Sequence, residues 1–159
     1  MDKQENLEFM REAIRLSVEN VERGKGGPFG AVIVKDGKII ARGVNEVTSS
    51  NDPTAHAEVV AIRKACAALG TFQLQGCELY ASCEPCPMCL AAIYWARPDK
   101  IYYANTKEDA AGIEFDDKFI YEEMSKPIGE RSIFTGQLLR EEALDAFRKW
   151  SRSVKKIQY

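Results

Sequence analysis

His56 is the only histidine in 159 residues, and thirty positions later comes the run Pro85-Cys86-Pro87-Met88-Cys89. If one ion gathers these three side chains, two separate stretches of chain must start at the same point, which leaves few ways to fold. Cys86 and Cys89 are three apart, so on a helix they share a face and can grip one ion together. A helix N-terminus carries partial positive charge, which favours thiolate, the form that binds metal. Two thiolates and one imidazole suit Zn²⁺, one ion per chain. Three protein ligands leave the fourth tetrahedral position for water, as in catalytic rather than structural sites. Water held there loses a proton near pH ~7 in favourable cases, against ~15.7 in bulk. With the only histidine committed to the metal, moving protons falls to a carboxylate, and Glu58 lies two residues on. Positions two apart do not share a helix face, so the reaction is expected over the first turn of that helix. Cys83 keeps an alternative open: Cys83, Cys86 and Cys89 are evenly spaced, and a fourth protein ligand closes such a site.

Composition sets the wider limits. The length and the usage, 45% apolar and 29% charged, suit a single globular domain with its own core over residues 1–159. Five cysteines, an odd number, in a chain that opens on a polar amphipathic segment argue for reduced thiols and a cytoplasmic protein. The longest apolar run, Cys89 to Ala96, is too short to cross a bilayer, so no membrane role is expected. A net charge of −2 and a pI near 5.6 favour a small substrate over nucleic acid.

Along the chain, Leu7, Met10, Ile14, Val18 and Val21 recur at helical spacing and predict a helix with that face inward, ended by Gly24, Gly26 and Gly27. Ala31–Val34 and Lys38–Ala41 flank Asp36-Gly37, a dipeptide suited to a two-residue hairpin turn. Asn45 to Asn51 is polar, and Thr54 is expected to cap a helix from about His56 to Leu69, rich in small residues and stopped by Gly70. Glu78–Ser82 reads as a strand delivering the chain to the cysteines, with Cys86 capping the next helix and Pro87 at its first position. That helix ends near Arg97-Pro98, and Lys100–Ala104 is the following strand. Strand, helix, strand implies parallel pairing beside the antiparallel hairpin. A short helix is expected over Phe115–Tyr121, a loop over Lys126–Gly129, and a final helix over Glu141–Val154 with Leu144, Phe147 and Trp150 inward.

The runs DPTAHAEVVAIRKAC and SCEPCPMCLAAIYWARPDKIYYA carry the H-x-E…P-C-x-x-C signature of zinc-dependent nucleobase deaminases. They resemble the cytidine deaminase-like superfamily, and within it most resemble the bacterial guanine deaminases, from GGPFGAVIVKDG through FDDKFIY. That resemblance implies a three-layer α/β/α sandwich around a mixed sheet of about five strands, assembled as a homodimer. It implies His56, Cys86 and Cys89 on zinc, Glu58 as proton shuttle, and a backbone N–H around Ala57 or Cys86 orienting substrate. Asn45 matches a base-contacting position, although from the residues alone it is equally a turn cap. Phe29 and Trp95 match aromatic positions near the pocket, where stacking on a purine is worth about 1–3 kcal/mol by analogy with nucleic acids. Core packing is the other reading of both. Asp117 is a carboxylate suited to accept from guanine N1–H and its 2-amino group; alternatively Asp116 caps a helix and Asp117 is solvated. The C-terminal helix and tail, about 141–159 and ending at Tyr159, resemble a segment that covers the pocket.

The resulting expectation is a zinc hydrolase that converts the purine base guanine to xanthine and ammonia. Guanosine, cytosine and tRNA adenosine are alternative substrates, and a structural-zinc binding module is the non-catalytic alternative. Binding of tRNA is steeply salt-dependent and sits poorly with the acidic pI.

Overall fold

The computed structural model describes residues 3–159, so Met1 and Asp2, where the sequence reading of the N-terminus begins, lie outside the described residues. The chain divides into two compact units, residues up to Asp117 and Lys118–Tyr159.

In the first unit a long helix, α1 (Lys3–Glu22), precedes the hairpin β1 (Gly30–Lys35) and β2 (Lys38–Val44). Asp36 and Gly37 take φ of 50° and 71°, the twisted two-residue turn their types predict. The register runs from Lys35 opposite Lys38 to Gly30 opposite Val44, shifting between Ile33 and Val34, so that Ile40 is an extra residue in β2. After a single turn, α2 (Val47–Ser50), come α3 (Ala57–Leu69), β3 (Cys77–Cys83), α4 (Pro87–Ala96), β4 (Lys100–Asn105) and α5 (Lys107–Ala111). The sheet order is β2-β1-β3-β4. β1 pairs antiparallel with β2 and β3, and β3 pairs parallel with β4 across the α4 crossover.

Alternation along the strands sends two sets of side chains to two layers. Val32, Val34 and Tyr80 meet Ala13 and Leu16 of α1. Ala31, Ile33, Leu79 and Ala81 meet Ala57, Ala61 and Ala65 of α3, with Ile93 and Ala96 of α4. This is the expected three-layer sandwich around a mixed sheet, with four strands in place of about five. The sequence after β4 explains the difference. Thr106 accepts from the Asp109 N–H and Asp109 accepts from the Thr106 N–H, a capping box that starts a helix where a further strand would run.

Small residues set how closely the layers approach. A Cβ on Gly30 would lie 2.4 Å from the Ala13 carbonyl oxygen, and one on Gly43 would lie 2.1 Å from that of Ala57. This corrects the face expected for α1. Phe9, Ala13, Leu16, Ser17 and Asn20 turn to the sheet, whereas Leu7, Ile14, Val18 and Val21 are exposed. Ala13 and Ser17 permit the contact at Gly30, and branched residues in their place do not. Thr54 does not cap α3 either. The N-cap is His56, and the Thr54 N–H and hydroxyl both donate to Asp52 Oδ1, at 2.8 and 2.7 Å.

The second unit holds α6 (Lys118–Ser125), a 3₁₀ turn (Ile128–Glu130) and α7 (Arg140–Arg152), none with a buried residue. α6 begins three residues after the expected Phe115. Leu144 is half-buried, but Phe147 is 73% exposed and Trp150 is also exposed, contrary to the inward face expected of them. A short helix and one turn are too little surface to cover α7.

Candidate metal centre

The starts of α3 and α4 carry the ligand atoms. Each is entered through an extended N-cap, His56 at φ −70°, ψ 154° and Cys86 at φ −64°, ψ 169°, and neither side chain caps its own helix. Where serine or aspartate ordinarily folds back onto the first N–H groups, these two side chains are left for another partner. Pro87 at the first helical position loses no hydrogen bond, and Cys89, one turn on, points the same way.

The imidazole and the two sulfurs lie within 4.8 Å of one another and form a group able to hold a metal ion. His56 Nδ1 is 3.6 Å from Cys86 Sγ and 3.5 Å from Cys89 Sγ. Tetrahedral bonds of about 2.3 Å to sulfur and 2.0–2.1 Å to nitrogen place a sulfur and a nitrogen about 3.6 Å apart, so both nitrogen–sulfur distances fit zinc. Electrostatics agrees with the geometry. The Cys89 thiol and His56 together hold Cys86 down to about 4, despite burial. The Cys86 sulfur and burial push Cys89 well up, and Cys86 also raises His56. Thiolate is thus favoured at Cys86, and a dication binding there would favour it at Cys89 as well.

Glu58, in the first turn of α3, is buried, and its Oε2 accepts from the Cys89 sulfur at 3.5 Å. Desolvation raises its pKa. It stands against the cluster over the helix start, as its offset from His56 requires. Cys83 is not in the group. Its thiol donates to the Thr106 carbonyl at 3.5 Å, and burial lifts it to about 11. Cys66 is half-buried and Cys77 buried, both with free thiols.

The remaining candidate residues are distributed unevenly. Ala57 is buried as the first residue of α3. Asn45, buried at the end of β2, accepts on Oδ1 from the Gly27 and Val47 N–H groups, each at 3.3 Å. The turn-capping role is therefore real and uses its oxygen, while among the described residues no hydrogen bond uses its Nδ2. Phe29 packs partly buried on the core and meets Phe115 edge to face with ring centroids 5.0 Å apart. Asp117 is half-buried, and its pKa is raised by that burial and then by the charge of Cys86, which places it within electrostatic reach of the centre. Trp95 is 63% exposed on α4; Tyr159 belongs to the second unit and is 69% exposed. Sequence reasoning missed Phe115 as a partner of Phe29, and also Asn20 of α1, whose side chain joins the Gly27 and Asn45 carbonyls. A polar residue on the sheet-facing side of an amphipathic helix was the available signal for Asn20; Phe115 gave none.

Residues 3–105 match the family model of the cytidine and deoxycytidylate deaminase zinc-binding region. The chain is 58% identical to guanine deaminase of Bacillus subtilis over 95% of its length and 97% of that protein. It is 42% identical to a tRNA-specific adenosine deaminase of Aquifex aeolicus over 66% of its length and 69% of that protein. The crystal structure of the Bacillus subtilis guanine deaminase superposes with a TM-score of 0.94 at 56% identity, over 100% of this chain and 99% of that one. A guanine deaminase from Nitrosomonas europaea gives 0.65 at 34%, over 69% of this chain and 63% of that one.

Proposed function

Because the chain belongs to the cytidine and deoxycytidylate deaminase family, we infer that it is a zinc-dependent hydrolase that converts guanine to xanthine and ammonia. The observation that carries this reading is a buried carboxylate, Glu58, packed against the sulfur of a zinc ligand set in a chain so similar to a guanine deaminase. His56, Cys86 and Cys89 would hold zinc, which would supply Lewis acidity to activate a water.

Glu58 does the proton work. It takes one proton as the water oxygen bonds to C2 and passes it to the ring nitrogen, then takes the second from the new C2 hydroxyl and passes it to the amine as the C2–N bond breaks. A carboxyl whose pKa is raised by burial suits both halves of that task. The helix starts at Ala57 and Cys86 present backbone N–H groups to charge developing on the base. Asn45, its oxygen engaged twice, has its amide N–H₂ left to donate to an acceptor of guanine. Asp117 accepts from N1–H and the 2-amino group, and Phe29 with Phe115 forms an aromatic wall.

Trp95 adds to the stacking surface, and residues 1–159 serve as one functional domain. The exposed ring of Trp95 supports that reading, and the exposed apolar face of α1 at Leu7, Ile14, Val18 and Val21 supports a homodimer. No described helix is long and apolar enough to cross a membrane, and the five cysteines carry no disulfide, which supports a reducing cytoplasm.

Ammonia release from guanine, guanosine, cytosine, adenine and a tRNA anticodon stem-loop tests the assignment. Guanine turnover well above all others is expected; a preference for the RNA or for cytosine refutes it.

A further inference from the structure

We propose that Asn20 is a positioning residue for base recognition: from the sheet-facing side of α1 it fixes the backbone that aims Asn45 at the substrate. Asn20 is buried, at 3% exposure, and its Nδ2 donates to the Gly27 carbonyl at 2.8 Å and to the Asn45 carbonyl at 3.0 Å. Its own carbonyl accepts from the Lys25 N–H at 3.2 Å. Gly27 in turn donates its N–H to Asn45 Oδ1, and the Asn45 N–H donates to the Phe29 carbonyl at 3.1 Å. These bonds form a closed circuit in which α1, the Gly26-Gly27 loop and Asn45 each hold the other two.

The circuit determines which end of the Asn45 amide meets the base. With Oδ1 taken by the Gly27 and Val47 N–H groups, the amide cannot turn over without stranding both donors, so the N–H₂ is the end left for substrate. There is no slack behind it, since a Cβ on Gly26 would lie 2.2 Å from the Asn45 carbonyl oxygen. Removing the Asn20 amide leaves the buried Asn45 carbonyl without a donor among the described residues and the Gly27 carbonyl with the Phe29 N–H alone, and water or a shifted loop must make up the loss. Either response moves Gly27, and with it the bond that orients Asn45. Neither moves His56, Cys86, Cys89 or Glu58, which stand on the starts of α3 and α4.

The inference rests on Asn45 touching the base, and the test separates the two claims. Asn20→Ala, Asn20→Asp, Asn45→Ala and the double variant Asn20→Ala/Asn45→Ala are assayed for guanine kinetics, zinc content and thermal melting. The expected result is KM raised roughly tenfold in both Asn20 variants, with kcat within about threefold and one zinc retained. The double variant is then no worse than Asn45→Ala alone. A purely structural role lowers the melting temperature but leaves KM unchanged, and that outcome overturns the proposal, as does a double variant whose losses multiply. If Asn45→Ala itself binds guanine normally, the recognition reading of Asn45 is what fails. Should the Asn20 variants not fold, Gly26→Ala presses on the same carbonyl with Asn20 in place; the same rise in KM supports the circuit and an unchanged KM overturns it.

Discussion

Gly43→Ala adds one methyl group on β2, outside the ligand set, and it should damage the metal centre. Gly43 lies in β2 at the point where α3 crosses closest to the sheet. Its added Cβ would meet the Ala57 carbonyl oxygen at 2.1 Å, the Ala61 nitrogen at 2.6 Å and the Ala61 Cβ at 3.0 Å. Ordinary contact begins near 3.4 Å, so α3 must retreat by about 1 Å, and because the blocking atoms are backbone, no rotamer change relieves them. Overpacking of this kind costs about 1–3 kcal/mol of stability. The larger effect is on function. The helix that must move begins at Ala57 and carries Glu58, with His56 as its N-cap. A displacement of about 1 Å at a reacting group lowers turnover by roughly 100-fold. The measurements are denaturant unfolding of the zinc-loaded protein, zinc retention against a chelator and kcat on guanine, each beside wild type. Stability lower by about 1–3 kcal/mol, faster zinc loss and a kcat down about 100-fold are expected together. A variant that unfolds like wild type and turns over normally refutes the claim that Gly43 sets the position of α3.

Three further outcomes are expected. Cys89→Ala removes one of three ligands and should abolish zinc retention and activity together, whereas Cys83→Ser should keep both, measured by metal content after dialysis; loss of zinc from Cys83→Ser would place that thiol among the ligands. Glu12, held down to about 2 chiefly by its hydrogen bonds from Arg15 and Arg42, stabilises the fold above its unfolded pKa near ~4.5 and loses that contribution as pH falls through about 2. Because both arginines are more than half exposed, the worth is about 1 kcal/mol or less, and Glu12→Gln should shrink the gap in melting temperature between pH 7 and pH 3; an unchanged gap removes the assignment. Guanine kcat/KM should vary little between 50 and 200 mM salt, since an uncharged base releases no counterions, and a steep fall would point to a nucleic-acid substrate.

The metal centre was legible in the sequence because its signal is one of residue type and spacing, and neither depends on packing. A lone histidine, two cysteines one helical turn apart and a proline that suits a first helical position survive into the structure with their geometry intact. The hairpin was legible for a similar reason: Asp36 and Gly37 are residue types that tolerate positive φ. What the sequence did not disclose depends on surfaces that meet. α1 has apolar residues on two faces, and the sheet took the one containing Ala13 and Ser17 because Gly30 lets the backbones touch there. The start of α3 was legible near His56, but its cap is His56 rather than Thr54, because Asp52 engages Thr54 first. α5 was announced by Thr106-x-x-Asp109, a local pattern passed over in a polar stretch. The exposure of Phe147 and Trp150 could not be read from periodicity, which says that a face is apolar but not what covers it.

The central claim is that a buried carboxylate beside a three-ligand zinc performs the proton transfers of guanine hydrolysis. Ammonia release by wild type and Glu58→Gln, with zinc counted in both, tests it most directly. The account predicts one zinc per chain in each protein and a kcat at least about 100-fold lower in the variant. Undiminished turnover by zinc-loaded Glu58→Gln would contradict it.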